Sequence, residues 1–209
     1  MTNKKHNLNP SAEEKRDVMI KVDKKSFPDG VYTGTIKNGK RSGFGTIQDE
    51  DGSIYSGNWE NDQFNGKGKF THPFGRSYNG MFKDNQMHGF GEFQNKAQGS
   101  TYKGEYKEGK KSGHGIQVYK DGTNYVGEWL DDLPHGAGKE TSPNAYSYDG
   151  LWQKNLMHGY GEYVNKKEGW TYKGEYNLNK KSGHGIEVSK DGTKYEGEWL
   201  DGLKHGLGD

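Results

Sequence analysis

The chain alternates hydrophobic and polar positions in short runs that turn residues separate. In "YVGEWLDDLPHGAG" (125–138), Tyr125, Gly127 and Trp129 stand at every second position and acidic turn residues follow. Every second residue of a β-strand points to the same face, whereas a helix repeats every 3.6 residues. A second alternating run with two glycines follows the turn. The pattern therefore predicts a β-hairpin.

The same hairpin recurs eight times along the chain, and we number the copies unit one to unit eight. Each unit opens with Tyr at position 0 and carries Gly at positions 2, 11 and 13, with an aromatic or large apolar residue at position 4. The opening tyrosines are Tyr32, Tyr55, Tyr78, Tyr102, Tyr125, Tyr148, Tyr172 and Tyr195. Position 4 holds Ile36, Trp59, Phe82, Tyr106, Trp129, Trp152, Tyr176 and Trp199. A fixed short period is the sequence signature of a repeat architecture.

Hairpins in series predict an all-β fold, an elongated and twisted single-layer antiparallel β-meander over residues 28–209. Each ring needs a neighbouring strand without side chains beneath it, which the glycines provide. We expect Trp129 to lie over such glycines, Gly136 among them. Residues 1–27 carry no repeat; we expect them to be partly disordered, with a capping strand at residues 17–22.

Composition supports a core of rings. Only 28% of the 209 residues are hydrophobic, while 34 are Gly and 14 are Tyr. An ordinary globule of this length carries more aliphatic residues for its interior. The net charge of +1 gives no field that would attract nucleic acid. The absence of Cys and of an apolar leader or spanning run favours a cytoplasmic protein.

These residues resemble the MORN repeat (membrane occupation and recognition nexus), whose consensus runs approximately YxGxWxxGxxHGxG. Units five and eight match best. The departures are Ile36 in place of Trp, and Ser42, Asn65, Ser112 and Ser182 in place of His. The resemblance implies a twisted, elongated β-meander used for scaffolding, often at cilia, membranes or cytoskeletal assemblies. It does not imply one activity, because a repeat fold does not fix function.

A second period of 70 residues lies above the first, because units four and seven are near-copies. Units one, four and seven each carry a basic pair after the turn. These pairs are Lys40-Arg41, Lys110-Lys111 and Lys180-Lys181. One interpretation is recent duplication with solvated turns. The other is electrostatic contact with a partner or with lipid head groups at three spaced points.

The sequence offers no arrangement for catalysis, for a cofactor or for a metal. His recurs at position 10, as His88, His135, His158 and His205. Adjacent copies should lie about 10 Å apart, too far to share a zinc ion, whose nitrogen ligands lie at about 2.1 Å. We therefore expect histidines that pack at hairpins, and we expect no enzyme.

Three functions fit this sequence. The first is a non-catalytic scaffold that binds proteins in a cytoskeletal assembly, a cilium or flagellum being favoured and the radial spoke head of the axoneme being the specific location. The second is a membrane or phosphoinositide recruitment module with weak anionic-lipid contact. The third is the regulatory array of a longer enzyme.

The last strands of the meander raise a question of pairing. An edge strand exposes N–H and C=O groups that another strand can pair with. We therefore expect self-association or strand addition by a partner at the C-terminal edge, through residues 172–209.

Overall fold

The computed structural model describes residues 18–206 and residue 208. Within that part every regular element is a strand, and the strands form one antiparallel sheet. The strands are β1 Met19–Phe27, β2 Gly30–Lys37, β3 Lys40–Gln48, β4 Ile54–Glu60, β5 Gln63–Thr71, β6 Arg76–Lys83, β7 Gln86–Asn95, β8 Ser100–Lys107, β9 Lys110–Val118, β10 Asn124–Leu130, β11 Leu133–Thr141, β12 Tyr146–Gln153, β13 Leu156–Asn165, β14 Trp170–Asn177, β15 Lys180–Val188, β16 Lys194–Leu200 and β17 Leu203–His205.

Each strand pairs with its neighbours in the sequence, from β1 with β2 to β16 with β17. The predicted antiparallel meander is therefore confirmed. β1 pairs with β2 and covers most of the segment 17–22 in which we expected a capping strand. Residue 17 and the N-terminal stretch expected to be disordered lie outside the described residues.

The two strands of a unit join through a two-residue turn at positions 6 and 7. In unit five, Asp131 and Asp132 have φ angles of 49° and 68°. Positive φ at both central residues defines the type I′ turn, which matches the twist of a hairpin and favours Asn, Asp and Gly. The Asp132 N–H also donates to the carbonyl of Lys111 in unit four at 3.1 Å. The turns of units two to eight each make this bond and so join their unit to the previous one.

The glycine at position 11 lies in a β-bulge. In unit five the pairing register shifts between Gly127 and Trp129, and Gly136 has a φ of +62°. A Cβ on Gly136 would stand 2.7 Å from the Glu128 carboxyl group. The prediction that the Trp129 ring lies over Gly136 is therefore wrong. The bulge adds residues to the second strand and so changes which glycine faces the rings.

The glycines at positions 2 and 13 lie beneath the ring at position 0. A Cβ on Gly138 would stand 2.2 Å from the Tyr125 hydroxyl, and one on Gly127 would stand 2.5 Å from the Gly138 Cα. Glycines at these positions pair directly across successive strands, forming an unbroken row from Gly34 to Gly197. The ring that lies directly over these glycines is therefore Tyr.

The rings form one ladder along the sheet. Tyr125 meets Trp129 of its own unit at a centroid distance of 5.1 Å and Trp152 of the next unit at 5.4 Å, both edge to face. Edge-to-face contact is a favoured geometry for aromatic pairs. The Tyr125 hydroxyl donates to the Glu128 carbonyl at 2.9 Å, and the Trp129 indole N–H donates to the Gly115 carbonyl at 3.3 Å. The rings therefore provide both the core and the partners for backbone carbonyls.

Candidate interaction surface

The residues predicted to form an aromatic repeat face lie on one side of the sheet, which we call the aromatic face. Thirteen of the fourteen are buried, at 0 to 7% exposure. They are Tyr55, Trp59, Tyr78, Phe82, Tyr102, Tyr106, Tyr125, Trp129, Tyr148, Trp152, Tyr172, Tyr176 and Trp199. Tyr195 is partly buried. These rings form the core of the sheet. The accessible surface of the aromatic face is therefore formed by the side chains that lie beside and above the rings.

Positions 9 and 15 supply those side chains. Position 15 pairs laterally with the tyrosines, as Glu140 does between Tyr125 and Tyr148. Position 9 holds Arg41, Phe64, Met87, Lys111, Pro134, Met157, Lys181 and Lys204. Position 15 holds Ile47, Phe70, Phe93, Gln117, Glu140, Tyr163 and Glu187. A constant core therefore carries a variable upper layer that differs in charge and shape from unit to unit.

The three predicted basic pairs each divide between two environments. Their first members, Lys40, Lys110 and Lys180, are exposed. Lys110 forms an ion pair with Asp131 at 3.2 Å, and Lys180 forms one with Asp201 at 3.1 Å. The second members, Arg41, Lys111 and Lys181, lie against the aromatic face because successive side chains of a strand point to opposite faces. Of each pair, the first member is therefore the one exposed to solvent, while the second contacts the rings.

Lys111 of unit four lies over two rings. Its ammonium stands 4.8 Å from the Tyr102 centroid and 4.6 Å from the Trp129 centroid, and it donates to the Gln117 carboxamide oxygen. Its backbone N–H donates to the Asp132 carboxylate at 2.8 Å. Burial lowers the pKa of Lys111, which the Asp132 charge opposes. A cation over ring faces is attracted by their quadrupoles, more strongly when water is excluded.

Lys181 of unit seven repeats this arrangement with a carboxylate in place of the carboxamide. The ring centroids around its ammonium, at 4.4 to 4.7 Å, are those of Trp170, Tyr172 and Trp199. Lys181 also forms an ion pair with Glu187, which pairs with Lys204 at 3.2 Å. Burial raises the pKa of Glu187, but the hydrogen bonds and charges of the two lysines outweigh it and lower that pKa overall.

Arg41 of unit one occupies the equivalent place. Its guanidinium stands 4.9 Å from the Phe27 centroid and 4.3 Å from the Trp59 centroid. It binds Asp29 at 2.8 Å and Asp62 at 3.1 Å, and its backbone N–H donates to Asp62 at 2.8 Å. Units one, four and seven thus place a cation of their own over the rings, and so does unit eight, whose Lys204 ammonium stands 4.7 Å from the Tyr195 centroid.

Units five to seven carry a stack of three rings outside the core ladder. Tyr146 stacks on Tyr163 at a centroid distance of 5.6 Å, and Tyr163 stacks on Trp170 at 5.3 Å. All three are half-buried. Two adjoining cavities of about 370 and 310 Å³ share Met157, Tyr163 and Asn179. The aromatic face therefore has open space lined by rings here.

Sequence reasoning missed this stack, although a signal for it exists. Tyr146 and Trp170 stand two residues before the opening Tyr of their units, where every other unit has a non-aromatic residue. Tyr163 stands at position 15. A comparison of the units at their variable positions, rather than their shared ones, would have found the three rings.

The opposite face of the sheet mixes exposed apolar and charged side chains. Phe90 and Tyr160, at position 12, are 55% and 54% exposed. A cavity of about 290 Å³ lies beside Phe90, Ile116 and Val126, with Lys103 at its rim. Apolar and charged residues alternate here, so this face is less uniform than the aromatic one.

The histidines at position 10 follow the repeat. His135 and His158 each have a buried Nδ1 atom that finds no hydrogen-bond partner in the part of the chain that the structure describes. Among residues 18–206 and residue 208, no group of three or more metal-ligating side chains comes together. The same residues include no helix that could cross a membrane.

The comparison with curated proteins gave no match. The sequence profile of the MORN repeat, in contrast, matches residues 32–54, 55–73, 78–96, 102–124, 125–144, 148–167, 172–194 and 195–209. Each match begins at the Tyr that opens a unit. Since the matches cover more than half of its residues, the chain belongs to the MORN-repeat family.

Proposed function

We propose that the chain is a non-catalytic scaffold that binds partner proteins through its aromatic face. MORN repeats indicate a protein- or membrane-interaction module. The observation that carries the proposal is the variable upper layer at positions 9 and 15, which lies on a constant core of Tyr, Trp and Gly. Variation on a fixed scaffold is how a repeat array distinguishes its partners along an extended surface.

The use of its polar groups supports a scaffold rather than an enzyme. The hydroxyl at position 0 donates to a backbone carbonyl, as Tyr148 does to Leu151 at 2.9 Å. The glutamates at position 3 accept backbone N–H groups in the bulges, as Glu128 does from Ala137 at 2.9 Å. These hydroxyls and carboxylates could serve in catalysis, but here they form hydrogen bonds with backbone groups of the fold.

For the cellular setting we propose a cytoplasmic, cytoskeletal assembly, with the cilium or flagellum first and the radial spoke head of the axoneme as the specific location. The support is the resemblance to MORN arrays that act as scaffolds at such assemblies. A continuous sheet of joined hairpins also suits a spacer, because each unit packs on its neighbours and keeps their order.

The membrane function is the weaker candidate. Lys110 and Lys180 already pair with aspartates, and Arg41 and Lys181 pair with carboxylates on the aromatic face. Cations neutralised within the chain contribute less than the about 1 kcal/mol per exposed charge that anionic membranes supply. Flotation with phosphoinositide vesicles should show weak binding that high salt abolishes, and tight, salt-resistant binding would reverse this order.

The C-terminal edge is a second contact that we propose. In the part of the chain that the structure describes, β17 pairs only with β16, and Leu203 is 73% exposed. Another strand, from a partner or a second copy, would pair with this edge. Light scattering of the chain with and without residues 172–209 tests the second copy: a monomer in both cases would reject it.

Photo-crosslinking from the two faces of one strand tests the main proposal. Tyr163 and Tyr160 both lie on β13, the first on the aromatic face and the second on the opposite face. Each is replaced in turn by benzoylphenylalanine, and the purified chain is irradiated in native extract. We expect protein adducts from position 163 and few from position 160. Adducts from position 160 alone would reject the aromatic face as the binding surface.

A further inference from the structure

In units one and four, the residue at position 9 makes two kinds of contact. In unit four the Lys111 ammonium lies over the rings beside Gln117, while its backbone N–H donates to Asp132 of the next turn. In unit one, Arg41 likewise places its guanidinium over rings and donates its N–H to Asp62. One cationic amino acid thus satisfies both the ring surface and the side chain of the following turn.

Unit five has Pro134 at this position, and proline supplies neither group. It carries no charge and has no backbone N–H. The rest of the arrangement is retained: Tyr125 and Trp152 meet edge to face at 5.4 Å, as Tyr102 and Trp129 do in unit four at 5.2 Å. Unit five therefore keeps the buried ring pair but has a buried proline where unit four has a cation.

As a result, two polar side chains, one in unit five and one in the turn that follows, have unused hydrogen-bonding capacity. Glu140 takes the place of Gln117, and in the described part of the chain its carboxylate forms no ion pair; it accepts only the Tyr146 hydroxyl, at 2.5 Å. Burial, followed by this hydrogen bond, raises the pKa of Tyr146. A carboxylate can accept several further hydrogen bonds, so one from a tyrosine leaves most of its capacity unused.

Asn155 is the second side chain with unused hydrogen-bonding capacity. The equivalent Asn179 accepts the Met157 N–H at 2.8 Å, and Asp132 accepts the Lys111 N–H at the same distance. Asn155 faces proline instead. Its exposed carboxamide makes no hydrogen bond with the residues that the structure describes.

Glu140 and Asn155 line the same cavity. Its volume is about 370 Å³, and Glu140, Asn155 and Trp152 line it together with Tyr146 and Tyr163 of the ring stack. An anionic oxygen beside ring faces selects a cation, because the carboxylate charge and the ring quadrupoles attract it together. The site is therefore complementary to the side chain that units one, four and seven provide for themselves.

We propose that unit five receives a Lys or Arg side chain from a partner protein, with the cation at Glu140 and beside the Trp152 ring, and a partner backbone N–H at the Asn155 carboxamide. This inference rests on the proposed function and names the chemistry of the partner. A peptide is the occupant because an amino acid supplies both groups, whereas a lipid head group with a quaternary ammonium supplies only the cation.

Nuclear magnetic resonance titration of the full chain with N-acetyl-lysine-N′-methylamide tests the site. The analogue is raised to about 100 mM, ten times a Kd of about 10 mM, the weak affinity expected for a single residue. We expect saturable shifts of the Trp152 indole and Asn155 carboxamide signals. The neutral N-acetyl-norleucine-N′-methylamide should produce none. Equal shifts with the neutral analogue, or no shift with the cationic one, would overturn the proposal. Choline is the third ligand, and a preference for it would transfer the site to lipid.

Three variants connect the signal to the named residues. Glu140→Gln should weaken binding at least fivefold. Glu162→Gln, an exposed carboxylate on β13 outside the cavity lining, is the matched control and should leave it unchanged. Pro134→Lys should fill the site from within the chain and abolish binding. Binding that survives both Glu140→Gln and Pro134→Lys would refute the site, while adducts from position 163 in the crosslinking experiment would still support the scaffold.

Discussion

Units four and five share their opening Tyr, a two-residue turn of positive φ and a bulge, yet the side chains over their aromatic faces differ. Unit four covers its ring pair with Lys111 and gives that lysine a carboxamide acceptor, Gln117. Unit five has Pro134 in that place, and no cation among the described residues pairs with its Glu140. The shared positions build the sheet, and position 9 decides whether the surface over it is satisfied within the chain or open to a partner.

Units four and seven make a second, narrower comparison. They are near-copies 70 residues apart, and position 15 changes from Gln117 to Glu187. The lysine over the rings is retained, but it gains a carboxylate that also binds Lys204. The same geometry therefore carries a titratable partner in one unit and a neutral one in the other.

The largest effect should come from breaking what all units share. Gly138→Val should cost about 3 kcal/mol or more of unfolding free energy, because a Cβ there would stand 2.2 Å from the Tyr125 hydroxyl. Ala137→Val, the next residue on β11, is exposed and should stay within about 0.5 kcal/mol of wild type. Urea denaturation measures both. Equal midpoints for the two variants would mean that the ring does not require glycine.

The second-largest loss of unfolding free energy should come from removing the lysines that lie over the rings. Lys181→Met should cost about 2 kcal/mol and Lys111→Met about 1 kcal/mol, since only Lys181 also loses a carboxylate partner. The folded-state pKa of Glu187 is lowered, so its stabilisation is present above its unfolded pKa and is lost as pH falls through the folded value. The Lys181→Met cost should therefore shrink below about pH 4.3, while the Lys111→Met cost should not. Parallel pH profiles would contradict this difference.

Hydroxyl deletion separates two tyrosines of the core. Tyr125→Phe should cost about 1 kcal/mol, because it removes a hydrogen bond to the Glu128 carbonyl. The Tyr106 hydroxyl is buried and has no hydrogen-bond partner among residues 18–206 and 208. Tyr106→Phe should therefore be neutral or slightly stabilising, since a buried polar atom without a partner is removed. Thermal melts in which Tyr106→Phe loses as much as Tyr125→Phe would be incompatible with this assignment.

The smallest effect is expected at the open site itself. Glu140→Gln should change stability by less than about 0.5 kcal/mol, because no cation of the described chain pairs with it. Glu187→Gln should cost about 1 kcal/mol by loosening two lysines. Comparison of the two in one denaturation series provides the test. A larger loss for Glu140→Gln would show that its carboxylate already serves the fold.

The sequence predicted the meander because its evidence is local. Tyr125, Gly127 and Trp129 alternate within one strand, and the acidic turn that follows has the residues that a type I′ turn requires. The row of glycines also follows from their offsets. These features depend on neighbours within a unit, so the same evidence for them recurs in all eight units.

The sequence-based predictions that were wrong or missing concern contacts between strands. The bulge at Gly136 shifts the register, and offsets in the sequence do not state which ring then lies over which glycine. The directions of Lys111 and Lys181 follow from that same register. The stack of Tyr146 and Trp170 was missed because it departs from the consensus, and the shared pattern had directed attention to the residues that agree.

The crystal structure of the Pro134→Lys variant tests the central claim most directly. If position 9 is directed onto the rings in every unit, the new ammonium should lie within about 6 Å of the Tyr125 and Trp152 ring centroids and should bind Glu140. Its backbone N–H should reach the Asn155 carboxamide, as that of Lys111 reaches Asp132. A side chain that extends into solvent, with Glu140 still bound only to Tyr146, would contradict the account.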